Sequence, residues 1–452
     1  MQPKTLLDGR GNPVRLGYAA ARPSWRKNED ALDRTPITST EEKVLNHGSR
    51  IQLLSTLRDL ERNNPVAKSI CQVFVSNLGH CRYRSKGTNN DPKDQLINNY
   101  FRKAEISGHG MRKILSAIIT DLLLAGEVFV LLTKGGSIQL LPSERIGSSY
   151  DTTTHREGES DGIVLNRYGQ PSSYRVAQIT AGAVDYTKGS YIPAKDMIHI
   201  ANTSRIGQIR GTPMLAAATQ TLEDIQSVQA AYTAKVKTSS ALTGFITSNQ
   251  PYSARWDGNE FDDEPMRSTY TKLYNGSILL LEQGESVETI QGGSIDGVEK
   301  FLTQLISFAC SSVGITHENL VGWSNASFSS STATRAVTNH RFGQLRELIE
   351  DTFIRRLVRW RQFKYEANGE LPETDELDRE NYDLQWTTSP TLDRRKDAQT
   401  DAIQLDNNLA SHTRIFAENG LDFSAEAAQM IKDKKLIADL TNAAGIAEIS
   451  TD

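Results

Sequence analysis

The chain has 452 residues, 38% hydrophobic and 23% charged, and carries a formal net charge of −4. That length suggests about two to four domains, and the acidic balance excludes a protein whose bulk surface grips nucleic acid or an anionic membrane, leaving only local basic patches. Cys71, Cys81 and Cys310 are odd in number and form no CxxC pair, so they read as buried thiols in a reducing compartment rather than a disulfide framework.

The first 25 residues, MQPKTLLDGRGNPVRLGYAAARPSW, contain no continuous apolar stretch of the kind that marks a secretory signal. Residues 1–40, rich in Arg, Gly, Pro and Asn, read as an extended arm. From about 41 to 80 the pattern is helical, with Leu53, Leu54, Leu57 and Leu60 at helical spacing until RNNP at 62–65. There Asn63 or Asn64 can cap a second helix that has Pro65 in its first turn and Val66, Ile70, Val73 and Phe74 on its apolar face.

A helix over about 112–125 follows, then short strands in EVFVLLT, SIQLLPSERI, DGIVLNRYG, SSYRVAQ and YIPAKDMIHI, with turn signals such as Gly135-Gly136 between them. The most hydrophobic run, Ala117–Leu132, holds Asp121, Gly126 and Glu127. It is too short and too polar to span a bilayer, which needs about 20 apolar residues, so the expectation is a soluble protein with no membrane partner.

Pro213 opens a helix with Leu222, Ile225, Val228, Tyr232 and Val236 on one side. Residues 243–293 turn to short β-like pieces around the acidic stretch DGNEFDDE. After Gly297 a second helix carries Val298, Phe301, Leu302, Leu305, Ile306 and Ala309 as one apolar stripe. Then comes GITHENLVGWSNASFSSSTATRA, 314–336, in which seven of the eleven residues from Ser324 to Thr334 are Ser or Thr. A connection of that length is usually functional or disordered. A third helix follows over about 336–365, a return strand in YDLQWTTSP, and a helical run over 392–447.

The fold class is therefore α+β, with a discontinuous organisation. Two helices leave a mixed domain, carry a small β-containing module and return. Such a stalk has too little core of its own, which predicts packing against copies of itself.

Several segments resemble the portal proteins of tailed bacteriophages, in particular the lambda-like branch. LRDLERNNPVAKSICQVFVSNLG resembles that branch's N-terminal helix pair, and AGEVFVLLTKGGSIQLLPSERI its strand pair. IPAKDMIHIANTSRIGQIRGTPML resembles its Gly-Gln-x-Arg-Gly-x-Pro motif and is the most specific match. SSSTATRAVTNHRFGQLRELIEDTF resembles the start of the long helix, with slightly longer spacing in FSSSTATRA. WTTSPTLDRRKDAQTDAIQLDNNLASHTRIFAENGLD resembles the C-terminal run.

The resemblance implies a portal fold assembled into a cyclic ring, usually of twelve subunits, at one vertex of a capsid. Double-stranded DNA enters through its central channel during packaging and leaves during ejection. It implies an N-terminal arm (1–40), a wing (41–212 and 336–391), stem helices (213–242 and 294–313), a clip (243–293), a tunnel loop (314–335) and a crown (392–452). The implied partners are further copies of the chain, the terminase large subunit, a head–tail adaptor and the major capsid protein. The implied setting is the virion, assembled in the host bacterial cytoplasm. Another ring component of a head–tail connector is the alternative, disfavoured by chain length.

Under that reading, Trp323, Ser324, Asn325, Ser327, Phe328, Ser329, Ser330 and Arg335 belong to a loop that lines the bore. Hydroxyls touch moving DNA through weak exchangeable bonds, whereas many Lys or Arg contacts would hold it by counterion release. The plain alternative is a solvent loop with a helix cap. Lys235 and Lys237 are either rings of charge that meet phosphate or a solvated helix end that suits the dipole. Asp257, Glu260, Asp262, Asp263 and Glu264 are either solvated surface or a docking face for a basic partner, and their spacing fits no EF-hand loop. Asp196 and His199 invite an acid–base or metal reading, but no second His and no Cys lies at ligand spacing, so a structural histidine is expected. No Walker loop, Gly-x-Ser-x-Gly or HExxH motif is present. The expectation is no catalysis, no cofactor and no metal, with another protein supplying the energy for DNA movement.

Overall fold

Asn46 opens the first described helix, its side chain accepting from the Ser49 amide at 3.0 Å, and α1 runs His47–Asn63. The chain then turns extended at Asn64, φ −106° and ψ 117°, and that same residue caps α2, Pro65–Leu78. Its Oδ1 accepts from the amides of Val66 and Ala67 at 2.9 and 3.2 Å, and its Nδ2 donates to the Leu222 carbonyl at 2.8 Å. RNNP is thus a stop and a start at once, with Asn64 as the cap. Leu53, Leu54, Leu57, Leu60, Ile70 and Phe74 are buried, as the helical spacing requires. The computed structural model describes residues 45–79, 81–85, 92–150, 153, 155–241, 245–248, 285–288, 297–321, 328–375, 379–386, 394–418 and 423–443.

After β1, Cys81–Ser85, come α3, Pro92–Arg102, and α4, Met111–Leu124. Next are β2, Glu127–Leu132, β3, Ile138–Leu141, β4, Glu159–Ser160, β5, Ile163–Leu165, β6, Pro171–Thr180, β7, Ala183–Pro193, and β8, Met197–Ala201. All pair antiparallel, in a three-stranded sheet of order β3-β2-β8 and a four-stranded sheet of order β4-β5-β6-β7. Phe129, Leu141, Ile146, Ile163, Tyr174, Val176 and Met197 form one buried cluster with members from both sheets. YIPAKDMIHI is not one strand. A 3-10 turn at Ala194–Asp196 divides it between the end of β7 and all of β8, which belong to different sheets.

The described parts of 1–222 and 307–452 form one unit, and Glu223–Ile306 forms a second. Helix α5, Thr219–Ala241, begins in the first and continues into the second. Of its apolar side, Leu222 and Ile225 are buried, Val228 and Tyr232 half-buried and Val236 exposed. Strands β9, Phe245–Ser248, and β10, Glu285–Glu288, pair antiparallel. Helix α6, Val298–Val313, buries Ala309, Cys310 and Val313, while Phe301 and Phe308 are 50% and 56% exposed.

Helix α7 covers Glu318–Val321, and α8, Phe328–Ile349, starts earlier than the expected position near 336. It passes through a π-turn at Glu350–Ile354, which buries Phe353 and Ile354, into α9, Arg355–Ala367. Strand β11, Tyr382–Trp386, returns to pair antiparallel with β1. The C-terminal run breaks into α10, Arg394–Asp406, α11, His412–Glu418, and α12, Phe423–Ala443. No described helix is long and apolar enough to cross a membrane.

Candidate functional site

GQIRGTP at 207–213 has a definite structural job. Gly211 lies so close to the turn before β2 that a Cβ on it would stand 2.1 Å from the Gly126 carbonyl oxygen. A Cβ on Gly126, whose φ is +80°, would stand 2.2 Å from the Thr212 carbonyl carbon. Only two glycines allow this approach. Asn202 fastens it: its amide donates to Gly126 O at 2.8 Å, and its side chain donates to Thr212 O at 2.8 Å.

The approach carries Arg210 inside, where it is 4% exposed. Its Nε donates to Glu127 Oε1 at 2.8 Å and its Nη2 to the same oxygen at 2.5 Å. Nη1 donates to the carbonyls of Ile146 and Asp161 at 3.1 and 2.6 Å. The Gly211 amide and His199 Nε2 donate to Glu127 Oε2 at 2.9 and 3.0 Å, and the His199 ring stacks on Phe129 at 4.3 Å between centroids. Burial alone would raise the Glu127 carboxyl, but Arg210 and His199 outweigh it and hold the group well below the usual carboxylate range.

A second pair adjoins the first. Arg50, 2% exposed on α1, is ion-paired with Asp161, a residue in left-handed backbone at φ 46°. Asp161 Oδ1 also accepts from His47 Nδ1 at 2.9 Å. Burial, then the charges of Arg50 and Arg210, pull His47 down to about 4. Two buried cations, Arg50 and Arg210, thus face the buried Glu127 and the part-buried Asp161. Arg58 adds a two-pronged bond from α1 to Glu144 at 2.7 and 3.0 Å. The network ties α1, β2, the turn before β5, β8 and the 207–213 segment together. Arg50 Nη1 has no hydrogen-bond partner among the described residues, but the Glu127 oxygens and the Arg210 nitrogens are spent within the network, so it offers rigidity rather than a reactive group. His199 pairs with Glu127, not with Asp196. Among the described residues, no three His, Cys, Asp or Glu side chains gather in a way that could hold a metal.

The sequence profile of phage portal proteins, lambda family, matches residues 29–346, a span that contains this network and more than half of the chain. The chain belongs to that family. No curated protein matches it. Among solved structures, the portal protein is similar to a chain in the virion of a native gene transfer agent particle, with 15% identity, a TM-score of 0.48, and coverage of 86% of this chain and 95% of that one. A chain in the neck of the native gene transfer agent particle, computed with C12 symmetry, has 14% identity, a TM-score of 0.48, and coverage of 82% and 98%. The HK97 family phage portal protein from Corynebacterium diphtheriae has 12% identity, a TM-score of 0.34, and coverage of 78% and 96%.

Most of the residues singled out in the portal protein's sequence are not brought together in the described structure. Trp323, Ser324, Asn325 and Ser327 lie outside the described residues, as do Asp257, Glu260, Asp262, Asp263 and Glu264. Phe328, Ser329, Ser330 and Arg335 lie on the helical backbone of α8, which begins at Phe328 instead of near 336. Lys235 and Lys237 are exposed on α5. The network itself went unread, although a Glu inside an apolar run and an Arg between close glycines were both visible signals.

Proposed function

We propose that copies of this portal protein close into a ring, of twelve subunits, whose central channel passes double-stranded DNA into and out of the capsid. The observation that carries the reading is the family match over residues 29–346. Support comes from helix α6, which belongs to the stem under this reading and leaves Phe301 and Phe308 largely uncovered within one chain. Apolar side chains of that size are a liability on a free surface and an asset at a contact between copies. Lys235 and Lys237 on α5 then stand as spaced charges along the bore, and the 314–335 segment lines its narrow part. The 243–293 module, with its acidic stretch, docks the terminase large subunit and later the head–tail adaptor, while the wing meets the major capsid protein. The ring does no chemistry itself; its part in packaging is mechanical, with energy supplied by the motor.

Sedimentation velocity of the purified protein and of Phe301→Glu tests this. The wild type should sediment as a discrete ring, and the variant should shift towards monomer. A wild type that is monomeric at micromolar concentration, or a variant that sediments unchanged, speaks against α6 as an intersubunit surface.

A further inference from the structure

The turn between α3 and α4 concentrates positive charge in an acidic chain. Residues 102–113, RKAEISGHGMRK, hold four Lys and Arg against one Glu, a local charge of 4 − 1 = +3, where the whole chain carries −4. Arg102, Lys103, Arg112 and Lys113 are all exposed. The fold gathers the two basic pairs: Gly110 packs so tightly on the end of α3 that a Cβ there would stand 2.7 Å from the Arg102 carbonyl oxygen. The one carboxylate, Glu105, is largely buried and lies 3.9 Å from His109.

Arg102, in the last turn of α3, suits that helix's dipole, but stability does not account for Arg112 and Lys113. Helix α4 has no acidic residue in its first turn and no side-chain cap from Gly110. Cations there oppose the helix dipole. The turn is also held in one shape. The Ile106 amide donates to Ile138 O at 2.9 Å and the Ile138 amide to Ala104 O at 2.9 Å, while Gly108 N reaches Glu105 O at 2.8 Å. At its tip Ile106 is 61% exposed.

We propose that this turn is a docking surface for an acidic protein segment bearing an apolar side chain, with Ile106 as the apolar contact and Arg102, Lys103, Arg112 and Lys113 as the charge partners. The charge balance selects an anionic partner, because complementary charge steers encounter and fixes orientation. Ile106 selects protein over nucleic acid: a protruding isoleucine has nothing to offer a phosphate backbone. The stretch also carries no aromatic platform besides His109 on which bases could stack. A pre-shaped turn binds without the entropy loss of ordering a loop.

The test uses the full-length protein and a fluorescein-labelled peptide with a Glu-Glu-Leu-Leu-Glu-Glu core, followed by fluorescence anisotropy at low and physiological salt. The expected result is saturable binding that the reversal Lys103→Glu/Arg112→Glu/Lys113→Glu weakens by about tenfold or more. Ile106→Ser should weaken it several-fold at both salt concentrations. Reversing Lys432, Lys434 and Lys435 on α12 should leave it unchanged, and circular dichroism should show each variant folded. The proposal is overturned if the peptide does not bind, if the α12 reversal weakens binding as much as the turn reversal, or if Ile106→Ser has no effect while duplex DNA displaces the peptide. The last result would make the turn a phosphate-binding surface instead.

Discussion

Replacing Arg210 by Met keeps the bulk of the side chain and removes the guanidinium that faces Glu127. The carboxylate, fully buried, would keep only the Gly211 amide and His199 as donors, and the Ser143, Ile146 and Asp161 carbonyls would each lose one. Breaking a buried pair by removing one partner costs about 3–5 kcal/mol. At 1.36 kcal/mol per tenfold, that is a loss of roughly one hundred- to several-thousand-fold in local protection. Because the damage is an unpaired charge, adding Glu127→Gln to Arg210→Met should recover part of the loss, so the two changes should be far from additive. Hydrogen exchange of peptides covering 127–132 and 197–201 reads the local stability of β2 and β8 directly. An Arg210→Met protein that loses less than about 1 kcal/mol there, or a double variant as unstable as the sum of the singles, would refute the reasoning.

Two further outcomes follow from the same geometry. His47 sits at about 4 in the folded chain against 6.5 unfolded, so the unfolded state takes up the proton first as pH falls. Its contribution is fully present above 6.5 and lost down to about 4, a drop of about 3 kcal/mol, and His47→Gln should flatten the acid limb of a urea midpoint–pH profile. The two-residue turn joining β6 to β7 places Ala181 at φ 51° beside Gly182 at φ 82°. Left-handed backbone disfavours alanine, so Ala181→Gly should raise the stability of the hairpin by about 0.5–1 kcal/mol, read as a higher urea midpoint.

Most of the helices were legible, although α3, Pro92–Arg102, was not read. Asn64 and Pro65 announce their helix start locally, and the leucine stripe of α1 and the apolar face of α4 follow from spacing alone. What stayed hidden is what depends on distant partners. β11 was legible as the return strand in YDLQWTTSP, but its partner β1, Cys81–Ser85, pairs with it across some 300 residues of sequence and, with Arg82 and Arg84 in its middle, is not apolar enough to declare itself. The hairpin of β6 and β7 turns on Thr-Ala-Gly-Ala, which lacks the Asn-Gly signature of such turns. The early start of α8 was obscured because Ser and Thr read as loop formers when their surroundings are unknown. Arg210 stood in the sequence only as a member of GQIRGTP; the Gly126–Gly211 approach, which pairs residues far apart in the chain, is what sends it inward.

The ring itself is best tested by imaging. Cryo-electron microscopy of the purified full-length protein should show closed rings with twelve-fold symmetry and a central hole wide enough for duplex DNA. Helices α5 and α6 should face neighbouring copies around that hole. Compact single chains, or open assemblies without a central passage, would contradict the account.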